Sequence, residues 1–384
     1  MNLIKSLLAS TALLLAVPHI AQADILVGFV TGLSGPVSSI GIPNAKGIAA
    51  GQAYIGEIGG EKIRVIQLDD GSDPTASARN ARKLVEQEKV DILIGTSGAP
   101  QTLAMATAAI EMQIPMIAVS PIAPVPPGDG GPWVVQTPQP TPLLVQGIVD
   151  HMKARGLKTV AFIGFSDAFG DLMYSSLEQS AKTADIKVIA NERYARSDSS
   201  VTAQVLRALA ARPDAIMLGG TGTPGALPVI ALSERGYKGP IFQTHGVATE
   251  EFIKLGGKDV EGAIFTGEAF TVVNDLPADS PFRKTTAAFV DAYKAANGGV
   301  TPSIFGAHLW DSMTLVEHAI PAALKVAKPG TEEFRAALRS EIEKGKDIAL
   351  NNGLSSMTAD NHNGYDERSA FVIEVKDGGF HLVK

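Results

Sequence analysis

The chain has 384 residues, with 33 Lys and Arg against 40 Asp and Glu, and no cysteine. A net charge of −7 argues against nucleic acid or an acidic membrane surface as partner, since both recruit basic faces through counterion release. The missing cysteines exclude disulfides, thiolate nucleophiles, iron–sulfur clusters and cysteine-held zinc, while 45% hydrophobic residues supply material for one large domain or two ordinary ones.

Residues 1–23 read as a secretory signal. Lys5 supplies the positive region, Leu7 to Val17 the apolar run, and Ala21-Gln22-Ala23 a small-x-small cleavage site. The run is shorter than the roughly 20 residues a membrane span requires. The expectation is export with cleavage before Asp24, and a periplasmic protein without a lipid-modified cysteine.

From Asp24 onward, short Val- and Ile-rich runs alternate with helical stretches. Ile25–Thr31, Ile63–Asp69, Val90–Ile94 and Ile114–Val119 read as strands buried on both faces, as in parallel sheets. Helices are expected over Ala45–Ile58, from Pro74 to Gln87, where Asp73 can cap and Pro74 suits the first position, and over Gln101–Met112. Residues 121–142 contain eight prolines and read as an irregular connection. A second series follows, with strands at Thr159–Phe165, Ile186–Ala190, Ala215–Leu218, Pro240–Thr244 and Ala263–Thr266, and helices at Ala168–Thr183 and Val201–Ala211. A helix at Ser303–Lys325 and a terminal hairpin around Asp377-Gly378-Gly379 complete the pattern. The fold class is α/β, with two doubly wound parallel-sheet lobes.

No constellation specifies a reaction. Gly220-Thr221-Gly222-Thr223-Pro224-Gly225 matches a dinucleotide-binding fingerprint between a strand and a helix. The following strand nevertheless ends in His245 and not in an acid for a ribose, and Pro224 interrupts the motif. The better reading is a turn that lets backbone approach whatever lies at that sheet edge. The seven histidines (His19, His151, His245, His308, His318, His362 and His381) form no H-E-x-x-H motif and no i, i+4 pair, and no G-x-S-x-G elbow occurs. Neither a metal nor a cofactor is expected, nor an enzyme. Asp69-Asp70 and Glu250-Glu251 read as caps and turn-formers. What remains is a set of Gly-, Ser- and Thr-rich loops at strand ends, from Leu33–Ile42 to Thr244–Val247, where open α/β sheets bind ligands.

Leu33-Ser34-Gly35-Pro36, Asp69-Asp70-Gly71-Ser72-Asp73-Pro74, Ile94-Gly95, Asp167-Ala168-Phe169-Gly170 and Thr244-His245-Gly246-Val247, in this order, resemble the type I periplasmic binding proteins. The branch that is most similar binds branched-chain amino acids for ABC transporters. The resemblance covers residues 24–384 and implies a Venus-flytrap of two lobes joined by a three-crossover hinge, with crossings near residues 143, 268 and 355. Lobe 1 would be residues 24–143 plus 269–355, and lobe 2 residues 144–268 plus 356–384. It also implies a small solute between the lobes and an inner-membrane ABC permease as partner, the protein itself being a monomer.

Carried over position by position, the resemblance exposes departures. Where amino-acid binders offer a hydroxyl to the solute carboxylate stands Ala99, beside Pro100; Ser97 is the nearest hydroxyl, and backbone N–H groups from Gly98 onward begin a helix. Ser120 and Ile122 fall in the next family loop, Phe169 replaces a frequent tyrosine, and Thr221 stands where relatives often have an aromatic. Where the family usually places an acid for the solute ammonium stands His245. A buried ammonium without a carboxylate costs several kcal/mol, whereas an imidazole suits an anion. With Ile40, Phe169 and Phe305 as an apolar wall, the expected ligand is a hydrophobic or aromatic carboxylate: a phenylpropanoid, benzoate-like or arylketo acid. The alternatives are a branched-chain or other hydrophobic amino acid, its ammonium recruited by an acid such as Glu268, and, outside transport, a nucleotide-using exported enzyme or a ligand-sensing module.

Overall fold

The protein was examined as a computed structural model, which describes residues 24–123 and 132–383. The expected leader over residues 1–23 lies outside the described residues. The chain runs β1 (Ile25–Thr31), α1 (Ser38–Ile55), β2 (Glu57–Ile58), β3 (Glu61–Asp69), α2 (Pro74–Glu86), β4 (Ile92–Gly95), α3 (Ala99–Glu111), β5 (Met116–Ala118) and β6 (Val134–Gln136). The second series is α4 (Thr141–Ala154), β7 (Thr159–Phe165), α5 (Ala168–Thr183), β8 (Lys187–Tyr194), α6 (Thr202–Ala210), β9 (Ala215–Gly219), α7 (Leu227–Glu234), β10 (Ile241–Phe242), α8 (Glu250–Gly256) and β11 (Ile264–Gly267). The chain then forms α9 (Pro281–Ala296), α10 (Ile304–Ala323), α11 (Glu332–Glu343), β12 (Ile348–Ala349), β13 (Leu354–Ser355), β14 (Phe371–Lys376) and β15 (Gly379–Leu382).

Two sheets result. The first has strand order β2-β3-β1-β4-β5-β6 and the second β15-β14-β11-β10-β9-β7-β8; both are parallel except for antiparallel edges at β2 and at β14–β15. β1 is buried almost throughout because each strand face meets helices, which is why its sequence is a continuous apolar run. In each sheet the order reverses beside the first strand, between β1 and β4 and between β7 and β9. The loops after those strands therefore flank a crevice.

The lobes are not continuous in sequence. After β11 the chain returns to the first sheet, where Leu309, Met313 and Val316 of α10 pack with Val27 and Phe29 of β1. α10 crosses α1 so closely that a Cβ on Gly47 would stand 2.7 Å from Gly306 Cα, so Gly47 needs to be glycine. The chain then passes back to β14 and β15.

Three sequence expectations change. α1 begins at Ser38, so Ile40 and Ile42 are helical and not part of a loop; burial of Ile40, Asn44 and Ile48 outweighs the one rung lost at Pro43. The proline-rich stretch expected to be irregular contains β6 and the start of α4, because Pro142 falls in the first turn of a helix, where a missing N–H is harmless. The expected strand at Pro240–Thr244 is ordered as β10 only over Ile241–Phe242, since the Thr244 hydroxyl turns to Gly220 O at 2.5 Å.

Candidate functional site

Lobe 1 contributes three loops, tied together by polar groups. Asp69 accepts from Leu33 N, Ser34 Oγ and Gly71 N, and these donors hold its carboxyl below the ordinary carboxylate range against the cost of burial. Asp70 accepts from Ser72 N and from Thr96 Oγ1 at 2.8 Å; burial pushes it up. The pair forms turns, as its sequence context indicates. Ser97 Oγ accepts from Gly32 N at 3.1 Å and from Asn44 Nδ2 at 3.3 Å, and it shares a proton with Thr31 Oγ1 at 2.7 Å. Its hydroxyl is a knot joining β1, α1 and β4.

Lobe 2 is built around a guanidinium. Asp167 caps α5, its Oδ1 accepting from Phe169 N and Gly170 N, while its Oδ2 accepts from Arg196 Nε at 2.6 Å. Arg196 also donates through Nη1 to Thr221 Oγ1 at 3.2 Å, and its guanidinium lies 4.0 Å from the Phe165 ring centroid. Two neighbouring loops and the end of β7 thus hold one cation, stacked on an aromatic face and bonded on two edges. Gly222, in the glycine turn, donates its N–H to Gly246 O and faces lobe 1: a Cβ there would stand 2.8 Å from Ser39 Oγ. The fingerprint glycines serve close packing between loops and lobes.

The lobes close over a cavity of about 20 Å³, room for a water but not for an organic acid. Ile40, Phe169 and Phe305 form its apolar wall, and Ser97, Ser120, Thr221 and His245 line it as well. It also brings in Val119, Pro121, Arg196, Gly246 and His308, which the sequence reading did not select. The other four expected positions lie elsewhere. Gly98 caps α3, Ala99 points into the core, Pro100 lines a wider groove beside the cavity, and Ile122 is a core residue whose N–H donates to Gln136 Oε1. That groove, about 200 Å³, lies between Val37 and Gln101 of one lobe and Ser166, Asp167 and Ala195 of the other. Arg196 lines both spaces.

Behind the cavity lies the hinge. Glu268, directly after β11, is fully buried, 3.6 Å from His308 Nε2 and 4.0 Å from His245 Nε2. Burial works against its charge, but the two imidazoles hold its carboxyl below the ordinary glutamate value. Burial pushes His245 down, with Glu268 opposing and His308 adding to the fall. One turn further along α10, Asp311 accepts from Asn351 N and Nδ2 and from Asn352 N. Burial pushes it up to about 6 against those donors. Asn352 Nδ2 and Tyr365 Oη both donate to Thr137 O, and Phe270 N donates to Asn351 O, so the three passages between lobes are joined by hydrogen bonds.

Among the described residues no helix is long and apolar enough to cross a membrane, and no cluster of His, Asp and Glu could hold a metal ion.

The comparisons with known proteins agree with this architecture. The model of a family described as periplasmic binding protein matches residues 24–379. A crystal structure of an extracellular ligand-binding receptor from Rhodopseudomonas palustris HaA2 is 56% identical, superposes with a TM-score of 0.90, and is matched over 94% of this chain and 100% of that one. A Leu/Ile/Val-binding protein of Rhizobium johnstonii is 23% identical over 90% of each chain. An ABC-transporter solute-binding protein from R. palustris, solved in complex with benzoate, is 22% identical, has a TM-score of 0.77, and shares the fold over 94% of this chain and 96% of that one. The crossed lobes and the strand-end loops are those of a known kind of clamp: this chain belongs to the periplasmic binding protein family.

Proposed function

We propose that this protein captures a small hydrophobic or aromatic carboxylate, such as a phenylpropanoid, benzoate-like or arylketo acid, between its lobes and presents it to an inner-membrane ABC permease. In this reading the leader is cleaved, the protein acts as a monomer, and the moving units are residues 24–143 plus 269–355 and residues 144–268 plus 356–384. The supporting observation is Arg196. A guanidinium in the cavity wall, opposite Ile40 and Phe305 and beside Phe169, matches a negative head on an apolar body. The benzoate bound by one fold neighbour is a ligand of this kind. The small closed cavity means that the lobes part to admit it, by the hinge motion of two-lobed binding proteins.

A second reading has one observation in its favour. Both carboxylate oxygens of Glu268 lack a hydrogen-bond partner, and relatives are Leu/Ile/Val-binding proteins. An amino-acid ligand would need that acid for its ammonium. Glu268, however, does not line the cavity; His245 and His308 do.

A thermal-shift screen with benzoate, 3-phenylpropionate, phenylpyruvate and leucine separates the two. A ligand present at a hundredfold excess over Kd stabilises the native state by about 2.7 kcal/mol. Stabilisation by the acids and not by leucine supports the carboxylate reading; stabilisation by leucine alone overturns it.

A further inference from the structure

Glu268 joins the two lobes through histidines. His245 belongs to the loop after β10 of the second sheet and His308 to α10, which packs on the first sheet, and both reach the same carboxylate oxygen at the hinge. Neither distance is short enough for a firm hydrogen bond, and both Glu268 oxygens and both ring nitrogens of His308 are buried without one. Such groups are costly unless something completes them. Both histidines line the cavity; Glu268 stands behind them.

The charges enclosed at the closed cleft decide what completes them. Arg196 and Asp167 cancel each other. Glu268 contributes a negative charge, and a carboxylate ligand adds another. The other titratable groups facing this cluster are Asp311 on α10, which acts on His308, and Tyr365, which feels both Glu268 and Asp311. Neither supplies a cation. Closing on an anion with neutral histidines would bury uncompensated negative charge, which low-dielectric surroundings penalise heavily. Protonating one imidazole between Glu268 and the ligand offsets one of these two negative charges.

We propose that Glu268 is a positioning residue that primes His245 and His308 to take up a proton when the carboxylate arrives, so that the protein binds its ligand together with a proton. This rests on the carboxylate reading of the site. Burial depresses His245 in the ligand-free cleft, and an arriving anion raises it. A group whose pKa rises on binding makes affinity highest in acid. The affinity then falls about tenfold per pH unit as pH climbs from the free to the bound pKa, and levels off above it.

The test is calorimetric titration of the mature protein with benzoate and 3-phenylpropionate between about pH 5.5 and 8.5, with phosphate and Tris buffers compared at one pH for their different ionisation heats. The expected result is uptake of about one proton per ligand and an affinity that declines through that range. Glu268→Gln should lose most of the pH slope and of the proton uptake. His308→Gln, which leaves Glu268 and His245 in place, should reduce the uptake and serves if the first variant does not fold. Binding with buffer-independent heats and a flat pH profile overturns the proton coupling and leaves the carboxylate reading standing. Failure of either acid to bind at any pH overturns both.

Discussion

Arg196 Nε donates to Asp167 Oδ2 at 2.6 Å, and Asp167 in turn caps α5 through Phe169 N and Gly170 N. The cation at the cavity mouth is thereby fixed to the helix that carries an apolar wall residue. Arg196→Gln removes the charge a carboxylate would meet. Truncating one member of a desolvated charge pair typically costs about 2–5 kcal/mol, so affinity for benzoate-like acids should fall by at least tenfold. Arg196→Lys keeps the charge but loses the two-edged contact to Asp167 and Thr221, and should fall in between. Calorimetry on both variants checks the order; undiminished binding by Arg196→Gln would remove the guanidinium from the site.

Gly222 meets Ser39 and Ile40 across the interlobe contact, with φ at +58°. Gly222→Ala adds a methyl where Ser39 Oγ and Ile40 Cγ1 already lie 2.8 and 3.3 Å from the Cβ position, and holds an alanine at φ +58° and ψ −158°, a conformation glycine alone adopts readily and that costs other residues about 1–3 kcal/mol. The clash exists only when the lobes are shut. Ligand affinity should drop by about tenfold while the melting temperature of the ligand-free protein changes little, and small-angle scattering with ligand present should show a wider particle. A variant that closes as wild type does would show that this contact places no limit on closure.

The strands were readable where burial is two-sided. β1 and β7 occupy the spans their apolar runs indicate, and α5 the expected span. β10 was overread because Pro-Ile-Phe-Gln-Thr carries no sign that Thr244 will bond to a neighbouring loop. Arg196 went unnoticed for a similar reason: its partners lie 29 and 25 residues away, and no spacing rule links loops that meet only after the sheet forms. His308 did leave a trace. Phe305, His308, Asp311 and Ser312 recur at helical spacing in an otherwise apolar helix, a polar stripe that points to a buried function, here the hinge.

Ser97 shows that lining a cavity differs from serving a ligand. Its hydroxyl oxygen already answers to Gly32 N, Asn44 Nδ2 and Thr31 Oγ1. Ser97→Ala leaves buried donors without an acceptor, a loss of about 1–3 kcal/mol in stability. Urea denaturation should register that loss, while the affinity for carboxylates changes by less than the effect of Arg196→Gln. The opposite ranking would make Ser97 the principal anchor.

Asp311 gives the fold its own pH dependence. Burial lifts its folded-state pKa to about 6, above the 3.8 of an ordinary aspartate. The folded protein therefore binds this proton more tightly than the unfolded chain does. Stability associated with the group is fully present below the unfolded value and declines as pH rises through the window from about 4 to about 6; above that it is flat. At 1.36 kcal/mol per unit the decline amounts to about 3 kcal/mol. Asp311→Asn removes the titration but offers one carbonyl to the backbone donors of Asn351 and Asn352, so it should lie below wild type at pH 4 and differ less at pH 7. Denaturation midpoints taken every half unit from pH 4 to 7 measure both curves. A wild-type profile no steeper than that of Asp311→Asn would mean that the hinge carboxylate is ionised throughout, its three donors outweighing the cost of burial.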